Sequence, residues 1–160
     1  MSELVDTADL MRVAIEDEKT GVVFYAALAG RAADPAMRKL LAGLSEQEKA
    51  HQKRFEKLLA SLGRTGPWEE YPGQYIAYLR ALTGARAFPD EQTALRAAGD
   101  CPDDAAALNL AMRYERDTLM LMNELRGLLG AGHREAVEEV IAEERSHIVV
   151  LTEALAKPVA

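Results

Sequence analysis

The sequence predicts an all-α fold, a four-helix bundle made of two helical hairpins joined by a long crossover, and three observations carry that prediction. Ala, Leu, Glu and Arg dominate the composition while aromatic residues make up only 6%, so helix propensity outweighs strand propensity. Apolar residues recur at three- and four-residue spacing through four long stretches. Between the second and third stretch, over about residues 63–101, Gly and Pro recur and the pattern breaks. A chain of 160 residues is long enough to bury one continuous core without disulfides, so residues 1–160 are read as a single domain.

The first long helix is predicted from about Thr7 to Gly30 on Met11, Ala14, Ile15, Val22, Tyr25 and Leu28. Asp34-Pro35 combines an N-cap with a proline at the first helical position, so a second helix starts there and ends near Gly63 on Leu41, Leu44, Phe55, Leu58 and Leu62. Two short helical pieces are expected in the crossover, near Gln74–Leu82 and Asp90–Ala98. The third long helix begins around Pro102–Asp104 and carries Leu108, Ala111, Met122, Leu125 and Leu129, and Gly130-Ala131-Gly132 ends it. The fourth carries Val137, Ile141, Leu151 and Leu155.

A net charge of −7 offers no basic patch, so neither nucleic acid nor an anionic membrane surface is expected as a partner. The start, MSELVDTADLMRVAIEDE, has no basic run and no long apolar stretch, and a cytoplasmic location is expected. Cys101 is the single cysteine, which excludes an internal disulfide and any thiolate cluster for zinc or iron–sulfur.

The segment LLAGLSEQEKAHQKRFEKLL places Glu48 and His51 where its own helical spacing calls for core leucines. Each of the other long helices repeats the anomaly, with Glu18 in the first, Glu115 in the third and the pair Glu144/His147 in the fourth. Glu and His three apart share one side of a helix and reach a common point. Height along the bundle agrees. Glu18 lies twelve residues before Gly30 and Glu48 thirteen after Pro35, which puts both roughly 18–20 Å from the turn between them. Glu115 and Glu144 are level to about one helical turn.

The two hairpins also resemble each other. AIEDEKTGVVFYAALAG (14–30) overlays AMRYERDTLMLMNELRG (111–127) at an offset of 97, and EKAH (48–51) overlays ERSH (144–147) at 96. This pattern predicts an internal duplication with a pseudo-twofold axis between two half-sites. Four carboxylates in an apolar core, with no Lys or Arg on the same stripes, call for positive charge between them. Two divalent cations supply it, and two neutral imidazoles complete a set of six protein ligands. Oxygen-rich ligands with one nitrogen per metal suit iron or manganese, and zinc also fits.

These residues follow the pattern of the ferritin-like di-iron carboxylate proteins, a Glu from each of two helices plus Glu-x-x-His from each of the other two. EKTGVVFY (18–25), SEQEKAH (45–51) and AEERSH (142–147) resemble the rubrerythrin branch of that superfamily, and the resemblance spans about Ala8 to Leu155. It implies a ferritin-like bundle holding two iron ions, with Glu48 and Glu144 bridging the metals, Glu18 and Glu115 as terminal ligands, and His51 and His147 one to each metal. It further implies reduction of hydrogen peroxide or dioxygen.

Two departures stand out. Rubrerythrins proper carry a rubredoxin-type Cys-x-x-Cys iron domain, which one cysteine cannot supply, so a separate electron-donor protein is expected. They also carry an extra carboxylate one helical turn after the ligand of the third helix, and that position here is Thr118. The equivalent position in the first helix is Gly21, whose missing side chain leaves space beside the metals for a small oxidant or a closer helix.

Two other functions fit the same six residues: ferrous iron oxidation coupled to storage or delivery, and a non-enzymatic dinuclear metal-binding bundle. Tyr25, two turns after Glu18 on the same stripe, is the candidate partner for a ligand or a metal-bound oxygen, or else an ordinary core tyrosine. Tyr114 is expected to point elsewhere, His133 to be solvated, Glu46, Glu138, Glu139 and Glu143 to form a solvated face, and Met112, Met120 and Met122 to fill the core. Trp68, Tyr71, Tyr75, Tyr78 and Phe88 gather in the crossover, where they mark packing or a subunit interface. A homodimer is expected, with hairpins exchanged across the crossover.

Overall fold

The computed structural model describes residues 6–63 and 73–157. Four long helices, α1 (Thr7–Arg31), α2 (Pro35–Ser61), α5 (Asp104–Leu128) and α6 (Ala131–Leu155), pair as the hairpins α1–α2 and α5–α6. Two short helices, α3 (Gly73–Gly84) and α4 (Glu91–Asp100), occupy the crossover. The described residues contain no strand.

Aspartate caps set most helix starts. Asp6, Asp34, Asp90 and Asp103 each accept a hydrogen bond from a backbone N–H in the first turn, at 2.7–3.1 Å. α2 stops where Gly63, at φ +69°, takes the left-handed conformation that closes a helix end. Two predicted boundaries shift. α1 continues one residue past Gly30 and ends at the extended Ala32. The turn between α5 and α6 is Leu129-Gly130, both extended, so Ala131 and Gly132 are already helical. Leu129 is buried and anchors that reversal.

The apolar core divides into two clusters along the bundle. One is built on Leu10, Met11, Phe55, Leu121, Leu125, Val137 and Ile141. The other gathers Phe24, Leu28, Leu41, Leu44, Phe88, Leu108 and Leu151. Glu18, Glu48, His51, Glu115, Glu144 and His147 stand between them in sequence on every long helix, all at most 1% exposed. The polar residues therefore form a dry layer across the middle of the bundle.

α4 lies against α1 through its buried alanines Ala94 and Ala98. Arg31 fastens the junction, donating to the carbonyls of Ala98 (2.7 Å), Gly99 and Cys101 (2.8 Å). The crossover aromatics separate. Phe88 is buried against Phe24 and Tyr114, whereas Tyr75 and Tyr78 donate to Glu124 on α5; Trp68 and Tyr71 lie outside the described residues. Among the methionines, Met112 and Met122 are buried but Met120 is 49% exposed, on the outer face of α5. Val22 and Leu155 are only partly buried, and Phe24 takes the core position that the spacing assigned to Val22.

Candidate metal centre

Regular helical spacing brings one carboxylate from each long helix, and an imidazole from α2 and α6, to the same level. His51 Nδ1 lies 2.7 Å from Glu144 Oε1, 3.6 Å from Glu18 Oε2 and 3.8 Å from Glu48 Oε2. His147 Nδ1 lies 2.8 Å from Glu144 Oε2, 3.3 Å from Glu48 Oε1 and 3.4 Å from Glu115 Oε1. Glu48 and Glu144 thus each present one oxygen to either side of the layer. Glu18 serves only the His51 side and Glu115 only the His147 side. Four donor groups on each side lie within 4.8 Å of one another, and the two imidazoles stack with centroids 5.7 Å apart.

Short distances do not make these contacts hydrogen bonds. Both oxygens of Glu18, Glu48 and Glu144, Oε2 of Glu115, and Nδ1 of both histidines are buried with no hydrogen-bond partner. Among the described residues, every such orphaned side-chain atom belongs to these six residues. Buried polar atoms are almost always satisfied, and a cluster of unsatisfied ones aimed at shared points is the arrangement that cations complete. The donor set, three carboxylates and one imidazole nitrogen on each side with two of the carboxylates shared, suits iron, manganese or zinc.

Burial and neighbouring carboxylates push Glu18 and Glu115 well above the usual carboxylate range. Burial works to lower the histidines, yet the surrounding carboxylates override it, raising His51 strongly and His147 to about 12. Contacts with both imidazoles hold Glu144 at about 2 against the effect of burial. The layer thus favours added positive charge at its centre, for which protons and cations would compete.

Side chains around the layer hold it in place. Tyr25, fully buried, donates to Glu115 Oε1. His51 Nε2–H donates to Glu143 Oε2 at 2.8 Å, and Arg54 holds the other oxygen of that carboxylate, also at 2.8 Å. His147 Nε2–H donates to Gln47 Oε1 at 2.9 Å. With both Nδ1 atoms turned to the layer, the ring proton must sit on Nε2 in each neutral imidazole. Glu143 is thus a half-buried partner of the cluster, not part of a solvated face. No periodicity within α6 marks it, because its partner His51 lies on α2.

Tyr114 differs from expectation, and Gly21 takes the second of its two expected roles. Tyr114 points inward, is 1% exposed and donates to the Asp17 carbonyl at 2.9 Å. Its phenol occupies the space beside Gly21: a Cβ there would overlap the hydroxyl and lie 2.9 Å from Tyr114 Cζ and 3.1 Å from Glu48 Cγ. Gly21 therefore admits a neighbouring helix and leaves no room for an oxidant. Thr118 donates to Asp17 Oδ2 at 2.8 Å, and Arg86 holds Oδ1 at 2.9 Å. Asp17 is 2% exposed, although in the sequence Glu16–Glu18 reads as an ordinary acidic run. His133 is half-buried, within 3.1 Å of Ser61.

Among the described residues no helix is long and apolar enough to cross a membrane. No curated protein sequence matches the chain. A crystal structure from Thermotoga maritima, described as that of a ferritin-like diiron-carboxylate protein, superposes with a TM-score of 0.70 over 98% of this chain and 99% of that one, at 23% identity. That likeness establishes the ferritin-like fold. The Rubrerythrin family model matches residues 9–155, nearly the whole chain and all six clustered Glu and His residues, and on that match the chain belongs to the Rubrerythrin family.

Proposed function

We propose that this protein is a di-iron oxidoreductase that reduces hydrogen peroxide or dioxygen in a dry layer at the middle of its bundle. The observation that carries the reading is the confinement of all orphaned buried side-chain atoms, among the described residues, to the six clustered Glu and His side chains. Glu18 and His51 would hold one iron and Glu115 and His147 the other, with Glu48 and Glu144 shared. When bound, the iron pair supplies a two-electron reservoir and a Lewis acid.

The chain's own residues do the rest. The apolar clusters above and below exclude water. Tyr25 fixes Glu115 and presents a hydroxyl proton at the edge of the layer. Glu143 and Gln47 fix the two imidazoles. A single cysteine supplies no iron–thiolate centre, so electrons come from a separate donor protein.

A second reading is supported by Thr118. It stands where the extra carboxylate of rubrerythrins proper would be, and its hydroxyl is engaged by Asp17. This favours ferrous iron as substrate, with oxidation coupled to storage or delivery. Anaerobic reconstitution with ferrous iron separates the two. The first reading expects about two irons per chain, oxidised rapidly by stoichiometric peroxide, in a small assembly such as a dimer. Slow reoxidation, many irons per chain and a cage-sized assembly favour the second. The variant Glu48→Ala/Glu144→Ala loses dinuclear binding on either reading. Unchanged metal content and thermal midpoint in that variant would refute both.

A further inference from the structure

The two sides of the layer are related by the internal duplication, but the groups behind their histidines differ. His51 is backed by a carboxylate, Glu143, at 2.8 Å, and Arg54 pins that carboxylate in place. His147 is backed by the neutral amide oxygen of Gln47 at 2.9 Å. Glu143 and Gln47 occupy equivalent positions at the offset of 96, so the difference is one of chemistry at matched geometry. A carboxylate draws the Nε2 proton more strongly than an amide and makes the opposite ring nitrogen the better donor to a cation.

The surroundings of the two backing groups differ as well. An open groove of about 420 Å³ runs between α2 and α6, with Leu40, Leu44 and Val150 on its walls and Gln47 and His147 among its lining. Gln47 is exposed there. His51 does not line this groove. One side of the layer thus has a neutral backing group at the floor of a groove, whereas the other is backed by an ion pair.

Resting on the dinuclear reading above, we propose that the two half-sites load in order: the first divalent cation enters the Glu18/His51 side and the second the Glu115/His147 side. Glu143 and Gln47 are the positioning residues that set this order, acting through the imidazoles.

The test uses zinc(II), which has no redox chemistry to confuse the readout, titrated into chelator-stripped full-length protein labelled with ¹⁵N-histidine. The chain has three histidines, so His133, remote from the layer in sequence, serves as the internal reference. The expected result is that His51 resonances shift with the first equivalent and those of His147 with the second, the two affinities differing roughly 10- to 100-fold. Glu143→Gln narrows the gap, and Gln47→Glu combined with Glu143→Gln reverses the order, an outcome that a merely structural role would not produce. Both histidines shifting together through two equivalents in the unaltered protein would overturn the proposal without recourse to any variant, as would an order that survives the exchange. If no zinc binds and neither ring responds, the dinuclear reading itself fails.

Discussion

At the scale of single residues, the layer depends on side chains that touch the six central ones. Among the described residues Tyr25 supplies the only hydrogen bond to the Glu115 side chain, and its own hydroxyl is buried by the same contact. Tyr25→Phe is expected to keep the helical spectrum and to destabilise the metal-free protein by about 1–2 kcal/mol in urea unfolding, because a buried acceptor loses its donor. Gly21 behaves oppositely, since adding an atom is harmful. Tyr114 cannot retreat easily from a new Cβ, being packed against Phe24, Tyr25 and Phe88. Gly21→Ala is expected to cost about 1–3 kcal/mol by overpacking. Adding Tyr114→Phe to it should recover part of that loss, and strict additivity of the two changes in a double-mutant cycle would disprove the contact. The central six could be read from sequence because each breaks the apolar period of its own helix. Glu143, Gln47 and Tyr114 could not, since their partners lie on other helices and single-helix periodicity carries no information about those.

At the scale of helices, start positions were legible wherever an aspartate capped them, as at Asp34 and Asp103. The start of α6 was not, because Gly130 caps it without a side chain. The crossover helices were legible in place but not in packing: alanine spacing in α4 gives little apolar signal, yet those small residues let it sit close to α1. Arg31 is what secures that contact. Arg31→Ala removes donors to three carbonyls at the end of α4 and is expected to cost about 1–3 kcal/mol. The same change should loosen this end of α4 and speed amide hydrogen exchange over residues 97–101. Equal exchange rates in the two proteins would show that the clamp does not hold this end.

At the scale of the whole molecule, two apolar clusters are joined through a layer that disfavours burial unless protons or cations neutralise it. Divalent metal at a hundredfold excess over its dissociation constant should stabilise the fold by about 2.7 kcal/mol. For a chain of this size that corresponds to a rise of roughly 5–10 °C in thermal midpoint, reversed by a chelator. In Glu48→Ala/Glu144→Ala the shift should vanish, while the metal-free variant should unfold no more easily than metal-free wild type, since removing buried charge offsets the lost packing. A large loss of metal-free stability in that variant would mean that the layer is a structural polar network and not a site kept for its ligands.

The contact between α1 and α5 carries a consequence for how the two hairpins recognise each other. Asp17 and Gly21 occupy the positions that Tyr114 and Thr118 occupy in the other hairpin, and across the axis Tyr114 fills the hollow over Gly21 while Thr118 bonds Asp17. Two copies of the first hairpin would leave a void flanked by opposed carboxylates, and two copies of the second would collide ring against hydroxyl. The difference at these four positions makes the seam a lock and key, so each half fits its unlike sibling better than a copy of itself.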